Sequence, residues 1–171
     1  NLWAIICIIL MTSATYYPAA AVFSKGNLFN GTMTLDGLSH LPQGEYAAIQ
    51  YLKDKSEKDT VILEAVGKDY TSFGRVSGST GIPTVLGWPG HEIQWRGSEK
   101  SFEDRSKDVA RIYHTSDIKE AKSLLSKYGV QYVYIGQRER DAYGIEGLDK
   151  FSTFMGKVFQ MDGVAIYQVS P

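Results

Sequence analysis

The first 24 residues form one apolar segment. They contain no Asp, Glu, Lys, Arg or His, and the run from Leu2 to Phe23 is 22 residues long. Roughly 20 apolar residues span the hydrocarbon core of a bilayer. Two adjacent tyrosines, Tyr16 and Tyr17, occur near its end, and amphipathic rings of this kind prefer headgroup depth. The pattern predicts one transmembrane helix over residues 1–24, followed by a separate domain over residues 25–171.

Two other interpretations of this segment stay open. The small residues Ala19 to Ala21 favour a secretory signal peptide, whereas the lack of positive residues before the apolar run opposes it. A buried helix of a soluble protein is the second, although a stretch with no polar face then needs complete burial. Because the chain begins with Asn1, we interpret the segment as the last span of a longer membrane protein.

Helical spacing of apolar residues predicts four helices after a glycine-containing connector over residues 24–43. The third is the clearest, because Asp117 is placed to cap its start and Gly129 to end it. The predicted helices are residues 46–55, a helix opened by the S-x-x-D phrase at Ser101 that carries Val109, Ile112 and Tyr113, residues 117–129, and a short helix with Leu148, Phe151 and Met155.

Compact runs rich in β-branched and aromatic residues predict strands over residues 60–66 and 130–135. The second follows a predicted helix directly, and such a step builds parallel sheets. Asp162-Gly163 between residues 157–161 and 164–169 is a strong hairpin signal. The sequence therefore predicts an α/β domain with a mixed sheet, flanking helices and a C-terminal β-hairpin.

Residues 67–97 do not have the composition of a linker. Seven of the 17 glycines fall there, together with Trp88, Trp95 and several aliphatic residues that need cover. We expect a folded, convoluted loop region with one short strand at residues 84–86. The charged run at residues 137–141 is predicted to be a solvated loop, and its place after a strand end leaves open that Arg138, Glu139 and Arg140 reach the ligand cleft.

Charge and cysteine content exclude several classes of protein. The chain has 18 Lys and Arg, 19 Asp and Glu, and a net charge of -1, without the clustered basic residues of a nucleic-acid-binding protein. A single cysteine, Cys7, permits neither an internal disulfide nor a cysteine-based zinc cluster. His91 beside Glu92 is too little for a metal centre, and no standard nucleotide or hydrolase motif is present. We expect no metal site and no cofactor in this chain.

The phrase from Gly81 to Gly97 carries most of the side chains suited to ligand binding. Indole faces stack on sugars or apolar chains, a guanidinium clamps phosphate or carboxylate, and His with Glu exchanges protons near neutral pH. The candidate substrate-binding residues are Trp88, His91, Glu92, Gln94, Trp95 and Arg96. The set predicts a polar ligand that is phosphorylated or glycosylated.

A second group of polar residues follows the first predicted strand, at the edge where open α/β sheets place ligands. It comprises Glu64, Tyr70 and Arg75, which we expect to support the loop over residues 81–97. Glu64 has two readings of equal weight. It is either a base or a buried carboxylate in a structural ion pair with Arg75.

On these phrases the sequence resembles the C-terminal end of the Chlor-Arch YYY family, large multi-spanning membrane proteins of archaea and Chloroflexi-type bacteria. The resemblance covers nearly the whole domain and the preceding helix. Its phrases are Thr34-Leu-Asp-Gly37, Glu64-Ala65 with Tyr70, Gly74-Arg-Val-Ser77, Thr80-Gly-Ile-Pro-Thr-Val-Leu-Gly-Trp88, Gly90-His-Glu92, Gln94-Trp-Arg-Gly97, and Tyr128-Gly-Val-Gln-Tyr-Val-Tyr-Ile-Gly136 with Glu139.

Members of this family look like GT-C glycosyltransferases, which transfer a sugar from a polyprenyl-phosphate donor on the outer face of a membrane. The resemblance implies an exported domain that caps a membrane cavity. Its implied partners are membrane lipid, the upstream transmembrane domain, and a polyprenyl-phosphate sugar or glycan. In such enzymes the catalytic carboxylate lies in an outer loop absent from this chain, so the catalytic residues stay unknown, as does any divalent metal of the full-length enzyme. The alternatives are a non-catalytic carbohydrate-binding or assembly domain, and a purely structural domain.

Overall fold

The computed structural model describes residues 1–24, 34–98, 100 and 102–169, and the chain divides into two compact units, Asn1–Leu41 and Pro42–Pro171. Two predictions concern residues outside the described part. They are part of the connector predicted over residues 24–43, namely residues 25–33, and the cap at Ser101. The predicted domain boundary after residue 24 stays a prediction for the same reason.

Helix α1 spans Leu2–Ser24 and accounts for most of the described part of the first unit. Its segment Leu2–Phe23 is long and apolar enough to cross a membrane. The hydroxyl groups of Thr12 and Thr15 donate to the carbonyl oxygens of Ile8 and Met11, at 2.8 and 2.9 Å. These polar groups are therefore satisfied within the helix, as a hydrocarbon environment requires.

The second unit is built on a mixed four-stranded sheet. The strands are β1 (Ile62–Leu63), β2 (Tyr132–Ile135), β3 (Met155–Met161) and β4 (Val164–Val169). Their order in the sheet is β1-β2-β4-β3, with β1 parallel to β2 and with β4 antiparallel to both β2 and β3. The helices are α2 (Gln43–Lys55), α3 (Arg75–Thr80), α4 (Pro89–Arg96), α5 (Glu103–His114), α6 (Ile118–Lys127), α7 (Gln137–Tyr143) and α8 (Phe151–Phe154).

Alternating residues of β2 bury against two separate cores, because successive side chains of a strand point to opposite faces. Val133 and Ile135 belong to a core shared with α5, α6 and α8. Tyr132 and Tyr134 belong to the other core, with residues of α2 and α3. Helices therefore cover both faces of the sheet, and the predicted α/β class with a mixed sheet, flanking helices and a C-terminal hairpin is confirmed.

The signals with the clearest local chemistry are confirmed. Asp162 and Gly163 have φ angles of 44° and 76°, the positive values that a type I′ hairpin turn requires. The Asp117 carboxylate accepts a hydrogen bond of 2.8 Å from the Lys119 N–H and caps α6. Gly129 follows the helix with a φ of 61°. The helix predicted over residues 46–55 is α2, which begins three residues earlier.

Three predictions of secondary structure are wrong. The predicted strand over residues 60–66 contains only β1, because the N–H groups of Ala65 and Val66 donate to side chains of α7 instead of to a neighbouring strand. Residues 67–97 contain α3 and α4, and residues 84–86 form a single bridge, from Thr84 to Ile62, instead of a strand. The charged run at residues 137–141 lies in α7 rather than in a solvated loop.

Candidate functional site

One face of α4 lines a cleft with a volume of about 520 Å³. Residues three or four positions apart share one face of a helix, and five of the six candidate ligand residues have this spacing. They are Trp88, His91, Glu92, Trp95 and Arg96, and the structure brings all five to the cleft. The sixth candidate, Gln94, does not share this spacing. It is exposed and is not among the residues that line the cleft.

The remaining residues that line the cleft are small: Gly74, Ser77, Gly78 and Gly87. Gly74 has a φ of 70° at the N-cap of α3, a backbone conformation that favours glycine. At Gly78 and Gly87, a Cβ atom would meet nothing within 4 Å. The cleft is therefore wide because these positions are glycines, which have no side chain to fill it.

Tyr70, Trp88 and His91 form a cluster of three rings beside the cleft. The ring centroids lie 5.4 Å apart for Tyr70 and Trp88, 4.8 Å for Tyr70 and His91, and 5.0 Å for Trp88 and His91. The Trp88 Nε1–H donates to the Phe73 carbonyl at 2.5 Å and fixes the indole. Tyr70 has a φ of 55°, unusual for a non-glycine residue. Tyr70 therefore contacts two of the candidate ligand residues, and its supporting role stays a prediction.

The first turn of α4 is capped by Asp69, which lies 21 residues before Gly90 in the sequence. Its Oδ1 accepts a hydrogen bond of 3.1 Å from the Gly90 N–H. A negative charge at this end of a helix is favourable, because the unpaired N–H groups there carry partial positive charge. A Cβ at residue 90 would overlap with the Asp69 carboxylate, so glycine is needed for this contact. No pattern in the sequence points to this role of Asp69.

Glu64 performs the same task for α3. It is buried, and its two carboxylate oxygens accept hydrogen bonds from the N–H groups of Val76 and Ser77, at 3.0 and 2.9 Å. Burial raises the pKa of this carboxyl above its ordinary value. The ion pair considered for Glu64 and Arg75 is not formed, because Arg75 pairs with Glu45. Through α3, Glu64 positions a wall of the cleft.

Glu45, on α2, joins the two arginines that lie near the sheet edge. Arg75 Nη1 lies 2.7 Å from Glu45 Oε2, and Arg138 Nη1 lies 3.2 Å from Glu45 Oε1. Arg138 also donates to the hydroxyl of Ser72 at 2.6 Å. The network ties α2, α3 and α7 together with the segment that leads to the ring cluster.

Sequence reasoning missed the role of Glu139. Only 2% of Glu139 is exposed, and its oxygens accept from the N–H groups of Ala65 and Gly136, at 2.8 and 2.7 Å. Burial raises the pKa of this carboxyl to about 7, with the Glu64 charge a smaller cause. Glu139 lies between Arg138 and Arg140 in a hydrophilic run, and such a run predicts exposed side chains. The only signals for Glu139 in the sequence are its place after a strand end and its place in the family resemblance.

The polar groups that remain accessible at the cleft belong mainly to α4. Arg96 Nε donates to Glu92 Oε2 one helical turn away. Trp95 is 82% exposed. Over residues 1–24, 34–98, 100 and 102–169, no three His, Cys, Asp or Glu side chains are grouped as a metal site requires. The arrangement offers stacking surfaces and hydrogen bonds to a ligand.

Comparisons with known proteins show the fold of this chain and leave its family open. No family model and no curated protein matches it. Among solved structures, the C-terminal globular domain of an oligosaccharyltransferase from Archaeoglobus fulgidus matches with a TM-score of 0.52 and 12% identity, over 76% of this chain and 99% of that chain. At this identity the likeness shows the fold alone. The Chlor-Arch YYY assignment stays a prediction.

Proposed function

We propose that this chain is the last membrane helix and the exported α/β domain of an integral-membrane GT-C-like glycosyltransferase that uses a polyprenyl-phosphate sugar donor. The observation that carries the proposal is the fold. It matches 99% of a C-terminal globular domain whose parent protein is an oligosaccharyltransferase. An oligosaccharyltransferase, by its name, transfers a glycan, which is the class of reaction that the sequence resemblance implies.

Helix α1 supports a place at the cell membrane. Its apolar stretch has the length of one bilayer crossing. In the proposal, α1 contacts membrane lipid and the upstream transmembrane domain, and the α/β domain lies on the extracytoplasmic side. The catalytic base belongs to a part of the enzyme outside residues 1–171.

The cleft of α4 supports a role in binding rather than in catalysis. Trp88, His91 and Trp95 offer aromatic surface, and Glu92 with Arg96 offers hydrogen bonds. Aromatic faces next to a few convergent polar groups are the usual lining of a small-molecule site. We infer that this cleft binds a part of the donor or a part of the acceptor.

The test is a transfer assay with the intact membrane protein in proteoliposomes, with radiolabelled polyprenyl-phosphate sugars as donors and an extract of the host membranes as the source of acceptors. We expect label to leave the lipid, and Trp95→Ala and Arg96→Ala to reduce the rate while the protein remains folded. The control is Ile93→Ala on the same helix, since Ile93 does not line the cleft. Intact lipid-linked donors after incubation with folded wild-type protein would contradict the proposal.

The exposure of two aromatic rings favours one alternative, a non-catalytic carbohydrate-binding or assembly domain. Trp95 and Tyr70 are 82% and 77% exposed, and exposed aromatic surface commonly marks an interaction site. This alternative predicts glycan binding without turnover of any lipid-linked donor. Binding and transfer measured on the same preparation therefore distinguish the two functions.

A further inference from the structure

The cleft carries no net formal charge from lysine, arginine or carboxylate groups. Among its lining residues in the described part of the chain, Arg96 is the only arginine or lysine, and Glu92 is the only carboxylate. The two side chains are paired with each other. A phosphate group is bound most strongly by cations that are not already neutralised, and by several of them together. The cleft lacks several such cations together, since His91 is the one other lining side chain in the described part of the chain that can carry a positive charge.

The two helix ends near the cleft are also occupied. A helix N-terminus is the other common phosphate site, because its N–H groups point at the anion. In α3 these groups, from Val76 and Ser77, already donate to Glu64. In α4 the Gly90 N–H donates to Asp69. Each helix end therefore holds a carboxylate of the protein itself, which would repel a second anion.

What the cleft does offer is apolar and aromatic. The Trp95 indole is 82% exposed, and the Trp88 indole is fixed by its hydrogen bond to Phe73. Flat indole surface suits the C–H face of a pyranose ring, whose hydroxyl groups lie at the rim. A hydroxyl group both donates and accepts, so it can bond to a carboxylate and a guanidinium that are paired with each other.

We propose that this cleft binds an uncharged saccharide and not the phosphate of a lipid-linked donor, with Trp95 as the stacking surface and Glu92 and Arg96 as hydrogen-bonding partners of its hydroxyl groups. The inference rests on the proposed function for its place in an enzyme. There, the cleft would hold the glycan part of the donor or a sugar acceptor.

The experiment measures binding by saturation-transfer NMR on the full 171-residue chain in detergent micelles. The probes are chitotriose, mannotriose and galactotriose, with inorganic phosphate and pyrophosphate as the charged probes. We expect at least one saccharide to bind saturably and excess phosphate not to displace it. Trp95→Ala is expected to weaken binding at least about tenfold, and Ile93→Ala to leave it unchanged.

Two further variants test the space and the charge of the cleft. Gly78→Leu adds a side chain where a Cβ meets nothing within 4 Å, so it should block the saccharide without unfolding the protein. Gly156→Leu, on β3, is its matched control, because Cβ is equally free there. Glu92→Gln leaves Arg96 without its carboxylate partner and should create phosphate binding that the wild type lacks.

Three results would overturn the inference. They are competition by phosphate in the wild type, no saturable binding of any of the three saccharides, and binding that survives both Trp95→Ala and Gly78→Leu. These results are separable from the transfer assay. Saccharide binding without transfer would reject the proposed function alone, whereas transfer with an unaltered rate in Trp95→Ala and Gly78→Leu would reject the saccharide cleft alone.

Discussion

The Glu139 carboxylate accepts a hydrogen bond of 2.8 Å from the Ala65 N–H, across 74 residues of sequence. Its other oxygen accepts from the Gly136 N–H at 2.7 Å. Ala65 follows β1 and Gly136 follows β2, so one buried side chain joins the carboxyl ends of the two parallel strands. The residue before Ala65 is Glu64, which accepts hydrogen bonds from the first N–H groups of α3. Glu139 therefore holds the segment that positions α3 beside the cleft.

The first prediction concerns the pH dependence of stability. Burial raises the pKa of Glu139 from 4.5 to about 7 in the folded chain. The folded state therefore binds more protons than the unfolded state between these values, and stability falls as pH rises through this window. Since one pKa unit is worth about 1.4 kcal/mol, we expect a loss of about 3 kcal/mol, measured by urea unfolding at several pH values.

Glu139→Gln provides the control for this prediction. The amide does not titrate, so the free energy of unfolding should change less with pH, although the variant loses one acceptor and is less stable by about 1–3 kcal/mol. The raised pKa of Glu64 acts in the same direction, so a smaller slope remains. Equal slopes in wild type and variant would show that Glu139 is not the titrating group.

The second prediction separates a partly buried ion-pair network from a surface pair. Glu45 has only 10% of its side chain exposed and contacts both Arg75 and Arg138. Glu45→Ala should lower the free energy of unfolding by about 1–3 kcal/mol, because two guanidinium groups lose their shared carboxylate. Glu103→Ala removes an exposed i,i+4 pair with Lys107 and should leave the free energy of unfolding nearly unchanged. Similar losses in the two variants would contradict this reading.

The third prediction compares two glycines. A Cβ at Gly147 would overlap with the Tyr113 carbonyl, a main-chain atom of α5, whereas a Cβ at Gly78 meets nothing within 4 Å. Gly147→Ala should therefore cost about 2 kcal/mol or more, through backbone displacement. Gly78→Ala should stabilise α3 by about 0.5–1 kcal/mol, because alanine has the higher helix propensity. Thermal unfolding of both variants measures this difference, and a tolerated Gly147→Ala would refute the tight packing.

The fourth prediction tests the side of the membrane on which the α/β domain lies. With Cys7 replaced by serine, a new cysteine in place of the exposed Lys53 is the only thiol of this chain. The proposal expects a membrane-impermeant maleimide to label Lys53→Cys in intact cells without their permeabilisation. Labelling that appears only after permeabilisation would place the domain inside the cell and reject an extracytoplasmic site.

The elements predicted correctly are those whose signals are local. Helix α6 has apolar residues at helical spacing, a capping Asp117 and a terminal Gly129, and each of these acts within a few residues. The same holds for the hairpin at Asp162-Gly163. The residue types from Trp88 to Arg96 mark this segment as a candidate ligand site, but the glycines and prolines around it obscure its helical form.

The elements that were missed depend on distant partners. Helix α3 contains Gly78 and two serines and has low intrinsic helix propensity. It is held by Glu64, which directly follows β1 and lies 12 residues before Val76. Strand β1 ends after Leu63 because the Ala65 N–H donates to Glu139 instead of to a neighbouring strand. Glu139 lies in a hydrophilic run of the sequence, and such a run does not reveal that this carboxylate is buried.

Local signals are enough to predict an apolar segment of membrane-spanning length, the α/β class with its C-terminal hairpin, and the residue types available for binding. These features are predictable because hydrophobic periodicity, turn chemistry and composition are properties of neighbouring residues. The tertiary structure was needed to show that Glu64 and Asp69 occupy the helix ends and that a cleft forms beside α4. Those outcomes depend on which groups meet across the fold, and that is fixed by packing.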